Sequence, residues 1–359
     1  MMPGVMAAML PFRKMLRAPF RIGMFGLGHV GGALARRLVE DADAIAHAAN
    51  RPIRLEAIVV AHPEGRTAPA PLITAGQMIA RPSLDAVVEL IGGLEPAHTY
   101  IKNALSAGLE VITANKQVIA AHGPALARLG RLRFEASVGS AIPIVETLAD
   151  TLSSDRIRSI IGILNGTTNS MLGAIGGGAS YAEALADAQR RGLAEADPSA
   201  DVDAHDPAAK LAILAMLAFR RRIDPSHIER VGIRSLEPAQ LAAARRRGFV
   251  IKLIAAATMH DDAIIEADVR PRLVPADAPM ARVEGAMNAI SLDARYAGSL
   301  LLQGPGAGPD AAASAVLADL VRAAKDVPAS AGSLLASLAD QRAATVAPLG
   351  PKNPYPAAS

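Results

Sequence analysis

At 359 residues and a formal net charge of +3, the chain is too long for one simple core, so two domains are expected. Its 37 Lys+Arg and 34 Asp+Glu form no basic stripe with interleaved aromatics, which argues against a nucleic-acid partner; Trp is absent and aromatics are 3%, so the core must be aliphatic. The absence of cysteine excludes disulfides, thiolate nucleophiles and cysteine-held metals, and fits a cytoplasmic protein.

Met1–Leu10 is apolar, but Arg13, Lys14 and Arg17 follow it, whereas a secretory signal carries its basic residues in front. No stretch reaches the ~20 apolar residues of a membrane helix, so no membrane partner is expected. Residues 1–19 read as a disordered extension.

From Arg21 the pattern is regular. Arg21–Phe25 is a strand-like run, Gly26–Gly31 a glycine loop, and Ala33–Val39 has helical spacing. After a loop, Leu55–Val60 and Asp85–Ile91 read as strands, the latter ending at Gly92-Gly93. Pro96–Ala107 reads as a helix, Glu110–Thr113 as a strand, 117–130 as a helix and Leu132–Ala136 as a strand. Strands alternating with helices at this spacing imply a parallel sheet covered on both faces. Beyond about residue 145 the rhythm changes: strand Ile157–Leu164, helices near 167–175, 180–191 and 207–219, then strands Phe249–Thr258, Ile264–Arg272 and Asn288–Tyr296. Helices grouped before strands suggest an α+β unit on a mostly antiparallel or mixed sheet. Leu300–Leu302 runs into Gly304–Gly308 and a last helix, 310–325, expected to return to the first unit. The Ala/Pro/Ser-rich tail after Ala329 reads as mobile.

Gly26, Gly28 and Gly31 form G-x-G-x-x-G between a strand and a helix, the context of a dinucleotide-binding loop. Gly26 permits the tight turn, Gly28 lets backbone approach a pyrophosphate, and Gly31 allows close helix–strand packing. His29 and Val30 complete the loop. No acidic residue closes the second strand; Ala61 and His62 stand there, with Arg66 beyond, which leans towards NADP over NAD. His62 and Arg66 could equally be loop residues in water.

Lys116 follows the Glu110–Thr113 strand at the carboxyl edge of the sheet, where it either meets an anion or simply begins the next helix. Glu195, Asp197, Asp201, Asp203 and Asp206 crowd twelve residues, a candidate site for an ammonium group or a metal. Asp206-Pro207 is also a good helix start, with Asp as N-cap and Pro at the first position. Lys210 lies one turn on, in a helix apolar nearly all round, so it should point into a cleft beside a carboxylate. Such an Asp/Lys pair could orient a hydroxyl and move its proton.

These segments, in order, resemble the homoserine dehydrogenase family over about residues 20–325: Gly26–Gly31, Val88–Gly93, Thr113–Lys116, Phe134–Val138, Gly162–Asn169, Gly192–Pro198 through Lys210, and Gly304–Gly308. The resemblance implies a Rossmann-type doubly wound α/β nucleotide-binding domain (20–145 with 303–326), an α+β substrate and dimerisation domain (146–302) and a tail (327–359). It implies NAD(P)-dependent interconversion of L-homoserine and L-aspartate 4-semialdehyde by a homodimer. Lys210 is then the proton donor, Lys116 lies near nicotinamide and the reacting oxygen, and Asp206 serves both chemistry and substrate. Glu195, Asp201, Asp206 and Lys210 would bind substrate. Gly92, Gly192 and Gly306 would join Lys116 and the glycine loop around the cofactor. Glu135, Val138, Ser140 and Ile142 match a loop that holds a sodium ion, mainly through backbone carbonyls.

The sequence departs from the family at Ala204-His205 (often a glycine before Asp206), at Asp310-Ala311 and at Ser140-Ala141, which replaces a Gly-Gly-like pair. It also lacks the length for the C-terminal ACT domain of many relatives, so a short form is expected. Competing readings are an oxidoreductase for another amino-acid semialdehyde and a silent nucleotide-binding paralogue. The joint presence of Lys116, Glu195, Asp206 and Lys210 argues against silence.

Overall fold

The computed structural model describes residues 17–261, 264–350 and 355–358. Most of the expected N-terminal extension, residues 1–16, lies outside the described residues, as do 351–354 and 359 of the tail. No described helix is long and apolar enough to cross a membrane.

The chain opens with β1 (Phe20–Phe25), α1 (His29–Glu40), α2 (Ala42–Ala49) and β2 (Ile53–Val59). Then come α3 (Ala75–Ile79), β3 (Ala86–Glu89), α4 (Ala97–Ser106), β4 (Glu110–Thr113), α5 (Lys116–Ala127) and β5 (Leu132–Arg133). The strands make one parallel sheet in the order β2-β1-β3-β4-β5. Side chains alternate across it, as a two-residue period requires. Met24, Val88 and Ile112 join Leu34 of α1 on one face, while Phe25, Val87 and Val111 join Ile101 of α4 and Ile119 of α5 on the other. The strand order reverses between β1 and β3, which opens the ligand crevice of such sheets beside their carboxyl ends.

The second half holds β6 (Ile157–Ile163), α6 (Gly166–Gly176), α7 (Tyr181–Arg190), α8 (Ser199–Val202), α9 (His205–Phe219), β7 (Glu229–Arg230) and α10 (Pro238–Arg246). It continues through β8 (Phe249–Asp261), β9 (Ile264–Pro275), β10 (Met287–Ala294) and β11 (Gly298–Pro305). These strands form a mixed sheet, β11-β10-β6-β8-β9, antiparallel at each of those contacts, with β7 added parallel to β9. α9 is buried at every position except His205 and Ala209. Each large side chain it withdraws from water contributes about 1.5–3 kcal/mol.

α11 (Pro309–Ala324) returns to the parallel sheet, where Val316, Leu317 and Leu320 pack with Ile22 and Leu34. The expectation of a mobile tail is corrected by α12 (Ser330–Ser337) and β12 (Thr345–Ala347). Ala331 and Leu335 of α12 are buried, and Gly332 lies so near Leu132 that a Cβ would stand 2.3 Å from its carbonyl oxygen. β12 pairs parallel to β9. Small residues, read as looseness in sequence, here permit close contact between backbones. Residues 42–49, read as loop, form α2, whose Ile45 and Ala49 join the core on α1 and α11.

Candidate active site

The glycine loop leaves β1 at the switch point. Gly26 has φ +97°, and a Cβ there would come within 2.8 Å of the Leu90 oxygen, so both conformation and space call for glycine. At Gly31 a Cβ would stand 2.4 Å from the Gly26 oxygen, so helix α1 can sit against the loop only without a side chain there. Gly28 faces open space within 4 Å, the condition for close approach of a ligand. α1 begins at His29 with no side-chain cap, and its N-terminal N–H groups and dipole favour an anion. Over this loop, Arg66 donates from Nη1 to the Leu27 carbonyl (3.3 Å).

At the end of β4, Asn115 caps α5 by accepting from the Val118 N–H (3.1 Å), and Lys116 is the first helical residue. Lys116 thus begins a helix and also meets an anion, its Nζ lying 2.9 Å from Asp206 Oδ1. Asp206 is not an N-cap. α9 starts at His205 after Ala204, which occupies the left-handed region at φ +62°, so Asp206 lies inside the first turn with its carboxylate turned into the molecule. Ala204 therefore accepts a backbone conformation that glycine adopts freely.

Asp206 is the hub of the cluster. Lys210 Nζ donates to its Oδ2 (2.7 Å) and to the Leu164 carbonyl (2.8 Å). Asn165 Nδ2 donates both to Asp206 Oδ2 (2.9 Å) and to Asp201 Oδ1 (2.6 Å). Burial alone would push the Asp206 pKa up, but Lys210 and Lys116 outweigh it and hold the carboxyl well below its ordinary range. Asp206 in turn raises the Lys116 pKa against the opposing effect of burial, with Asp201 and Glu195 adding to it, so Lys116 is an ammonium at neutral pH. Burial raises Asp201, and the neighbouring charge of Asp206 adds to this. The Lys116 side chain is 39% exposed, Lys210 11% and Asp206 5%, so the cluster opens to solvent on the Lys116 side.

The acidic run does not act as one unit. Asp201 and, more weakly, the exposed Glu195 lie near enough to Lys116 to raise its pKa, whereas Asp203 pairs with Arg234 (2.5 Å) and Asp197 accepts from Ser199 N and Oγ (3.0 and 2.6 Å). Asn165 is a member of the cluster that sequence reasoning missed. An Asn three residues before Thr168 is a cap signal, and it caps α6 while its amide bridges Asp201 and Asp206.

Gly92 and Gly192 both have positive φ and open space where a Cβ would stand. Gly306 differs, since a Cβ there would collide with Asn288 at 2.1 Å. In the loop matched to a cation site, Glu135 is buried and accepts from the backbone N–H of Val145 (2.9 Å) and Glu146 (3.0 Å), and burial raises its pKa. Ser140 has φ +54° and a buried Oγ without a hydrogen-bond partner; Val138 and Ile142 place their side chains in the core. Among the described residues no cluster of three His, Asp or Glu side chains is arranged for a metal.

The geometry agrees with what comparison finds. The family model "Homoserine dehydrogenase" matches residues 143–321, and "Homoserine dehydrogenase, NAD binding domain" matches 26–132. A homoserine dehydrogenase of Corynebacterium glutamicum is 41% identical over 319 residues, 85% of this chain and 72% of that protein.

The chain belongs to the homoserine dehydrogenase family.

Solved structures of the family share its fold. A homoserine dehydrogenase from Thiobacillus denitrificans superposes with a TM-score of 0.85 at 35% identity, covering 92% of this chain and 80% of that one. A hyperthermophilic archaeal homoserine dehydrogenase in complex with NADPH gives 0.73 at 25% identity, covering 86% and 99%. The parallel sheet is thus the family's Rossmann-type nicotinamide-nucleotide unit, with the lysine–aspartate cluster at its carboxyl edge.

Proposed function

We propose that this protein interconverts L-homoserine and L-aspartate 4-semialdehyde with NAD(P), a step in threonine, methionine and isoleucine biosynthesis in the cytoplasm. The observation that carries the reading is the Lys116–Asp206–Lys210 bridge at the carboxyl edge of the parallel sheet. The bound nicotinamide supplies or accepts the hydride. Lys210 has three N–H hydrogens and commits two, to Asp206 and the Leu164 carbonyl. The third is assigned to the reacting oxygen, which Lys210 protonates in the reductive direction, a transfer worth about 10²–10⁴-fold. Lys116, kept charged by Asp206, donates a hydrogen bond to the same oxygen as negative charge develops on it. Asp206 orients both lysines and, with Glu195 and Asp201, presents negative charge to the amino group of homoserine.

Residues 20–145 with 303–326 are assigned to cofactor binding and 146–302 to substrate binding and dimerisation, a division supported by α11 packing on β1 and α1. Gly26, Gly28, His29, Val30, Gly31, Gly92, Gly192 and Gly306 would line the cofactor with Lys116. Of the two cofactors we favour NADP, because Arg66 reaches the Leu27 carbonyl and no carboxylate closes β2. A homodimer through the mixed sheet is supported by the half-buried Ile161 and by Leu301, 44% exposed. Glu135 with the carbonyls of Val138, Ser140 and Ile142 would hold a monovalent cation, which suits oxygen donors.

The deciding assay follows NAD(P)H absorbance with aspartate semialdehyde near neutrality and with homoserine at alkaline pH, sodium and potassium present. Turnover in both directions is expected. Folded protein that turns over neither substrate with either cofactor would overturn the reading.

A further inference from the structure

Glu89 ends β3 between Phe25 of β1 and Thr113 of β4, and it is completely buried. A carboxylate withdrawn from water normally has a cation for a partner, because desolvation is costly. Its three hydrogen-bond partners here are all uncharged. Oε1 accepts from the backbone N–H groups of Ile91 (2.7 Å) and Gly92 (3.3 Å), and Oε2 accepts from the Thr113 hydroxyl (2.6 Å). The Thr113 hydroxyl donates that bond while its Oγ1 accepts from the Asn115 N–H (2.9 Å), so the carboxylate and the turn after β4 share one hydrogen-bonded chain. Glu89 thus accepts three hydrogen bonds and donates none.

The same network continues to the reacting end of the site. Asn115 Nδ2 donates to the Gly93 carbonyl (2.7 Å), and Asn115 Oδ1 caps the helix that begins with Lys116. Glu89 thus joins two turns, Ile91–Gly93 after β3 and Thr113–Lys116 after β4, at the carboxyl edge where a dinucleotide lies.

We propose that Glu89 is a positioning residue with two effects: it clamps the Gly92–Gly93 turn and the Lys116 turn into one unit, and its charge, balanced by no cation among its hydrogen-bond partners, favours the oxidised, cationic nicotinamide over the reduced, neutral one. The inference rests on the nicotinamide chemistry proposed above. The two effects separate cleanly. Loss of the clamp alone loosens both redox forms alike, because both use the same turns. Loss of the charge also changes their ratio, since only one form carries a positive ring. At the separations of a binding site, with an effective dielectric near ~20, one unit of charge is worth on the order of tenfold or more in the ratio.

The test uses the intact protein at mildly alkaline pH. NADPH binding is titrated through the dinucleotide's own fluorescence, which no tryptophan of this chain obscures, and NADP+ by competition. Thr113→Val, isosteric and still carrying the Glu89 charge nearby, is expected to weaken both forms by a similar factor, and Thr113→Ser to restore them. Glu89→Gln is expected to weaken the oxidised form about tenfold more than the reduced one. Glu89→Asp keeps the charge and should keep the ratio even where both forms bind less tightly, so the charge effect stays testable if the Gln variant does not fold. Wild-type affinity in Thr113→Val overturns the clamp. An unchanged ratio in folded Glu89→Gln, or a shifted one in Glu89→Asp, overturns the charge effect. A wild-type protein that binds neither form overturns the functional reading itself, a result distinct from the other two.

Discussion

Lys116 Nζ stands 2.9 Å from Asp206 Oδ1, and the two residues belong to helices packed on different sheets. Their ion pair, extended to Lys210, ties α5, which follows β4 of the parallel sheet, to α9, which packs on the mixed one. Asp206→Asn keeps the shape and removes the charge. We expect kcat to fall by about 10²–10⁴-fold, because both lysines lose the group that orients them. Lys116 also loses the main influence raising its pKa, so the alkaline limb of the semialdehyde-reduction profile should move to lower pH. The stability effect has a definite sign. The Asp206 pKa is depressed in the folded protein, so its contribution is present above the ordinary carboxyl pKa of 3.8 and fades as pH falls through the folded value. The wild type should therefore melt above Asp206→Asn by a constant margin between about pH 5 and 8, a margin that closes only in stronger acid. Full activity in the variant would contradict the role assigned to Asp206.

Gly28→Ala and Gly31→Ala should fail in different ways. The methyl at Gly28 meets nothing within 4 Å, so the variant should fold with nearly wild-type stability yet bind NAD(P)H at least tenfold more weakly, as the methyl occupies space a pyrophosphate needs. At Gly31 the methyl would meet the Gly26 oxygen at 2.4 Å, so thermal melting should fall by several degrees. Melting curves beside cofactor titrations distinguish the two.

Arg66→Ala should weaken NADP binding selectively. A guanidinium facing a 2′-phosphate contributes charge-assisted hydrogen bonds of about 1.5–3 kcal/mol, equivalent to roughly ten- to hundredfold in Kd, and nothing comparable to NAD. Equal losses for the two cofactors would show that Arg66 acts on the loop alone.

Ser140→Gly should stabilise the protein by about 1 kcal/mol. The wild-type residue bears a left-handed backbone at φ +54° and a buried hydroxyl without a partner. Glycine removes both burdens and keeps the carbonyl that a cation would use. A lowered melting temperature would mean that the hydroxyl makes a stabilising hydrogen bond in solution, to a bound water or ion.

Lys252 offers a second test of charge and stability. Burial pushes its pKa down to about 8, although Nζ donates to Asn169 Oδ1 (2.9 Å) and the Val283 carbonyl (2.5 Å). A base depressed in the folded state is penalised below its folded pKa and relieved as pH rises towards its unfolded value of 10.5. The stability of wild type relative to Lys252→Met should accordingly rise by up to about 1.4 kcal/mol per pH unit between pH 8 and 10, measured by chemical denaturation. A flat difference would show that the lysine is not penalised by burial.

Where the chain carries a strong local signal, the sequence suffices. The strand Glu110–Thr113 is legible to the residue, because its apolar run stops at a capping asparagine, and the helix holding Lys210 is legible because its apolar residues repeat on every side. The buried lysine beside Asp206 follows from the same argument: a charge in such a helix must find a counter-ion. Signals dependent on tertiary contact are invisible. α2 and α12 are short and built mostly of small residues, and only their packing distinguishes them from loops. The start of α9 is misread from sequence because Asp-Pro is a fine local cap, yet the left-handed turn at Ala204 begins the helix earlier and frees Asp206 for the lysines. Asn165 and Glu89 escape a local reading because their bonds reach residues 41 and 24 positions away.

The return of α11 to the parallel sheet has a consequence for synthesis. Ile22 and Leu34 emerge from the ribosome almost three hundred residues before Val316 and Leu320, which complete their core. The early strands must wait, with one apolar face covered only in part by α1 and α2, while everything between is translated. At about 5–20 residues per second that delay lasts some fifteen to sixty seconds. The mixed sheet, whose pairings from β6 to β11 lie within that interval, has time to form first. A nascent chain arrested before residue 309 should therefore present a folded mixed sheet beside a half-covered nucleotide unit, a species for chaperones to shield.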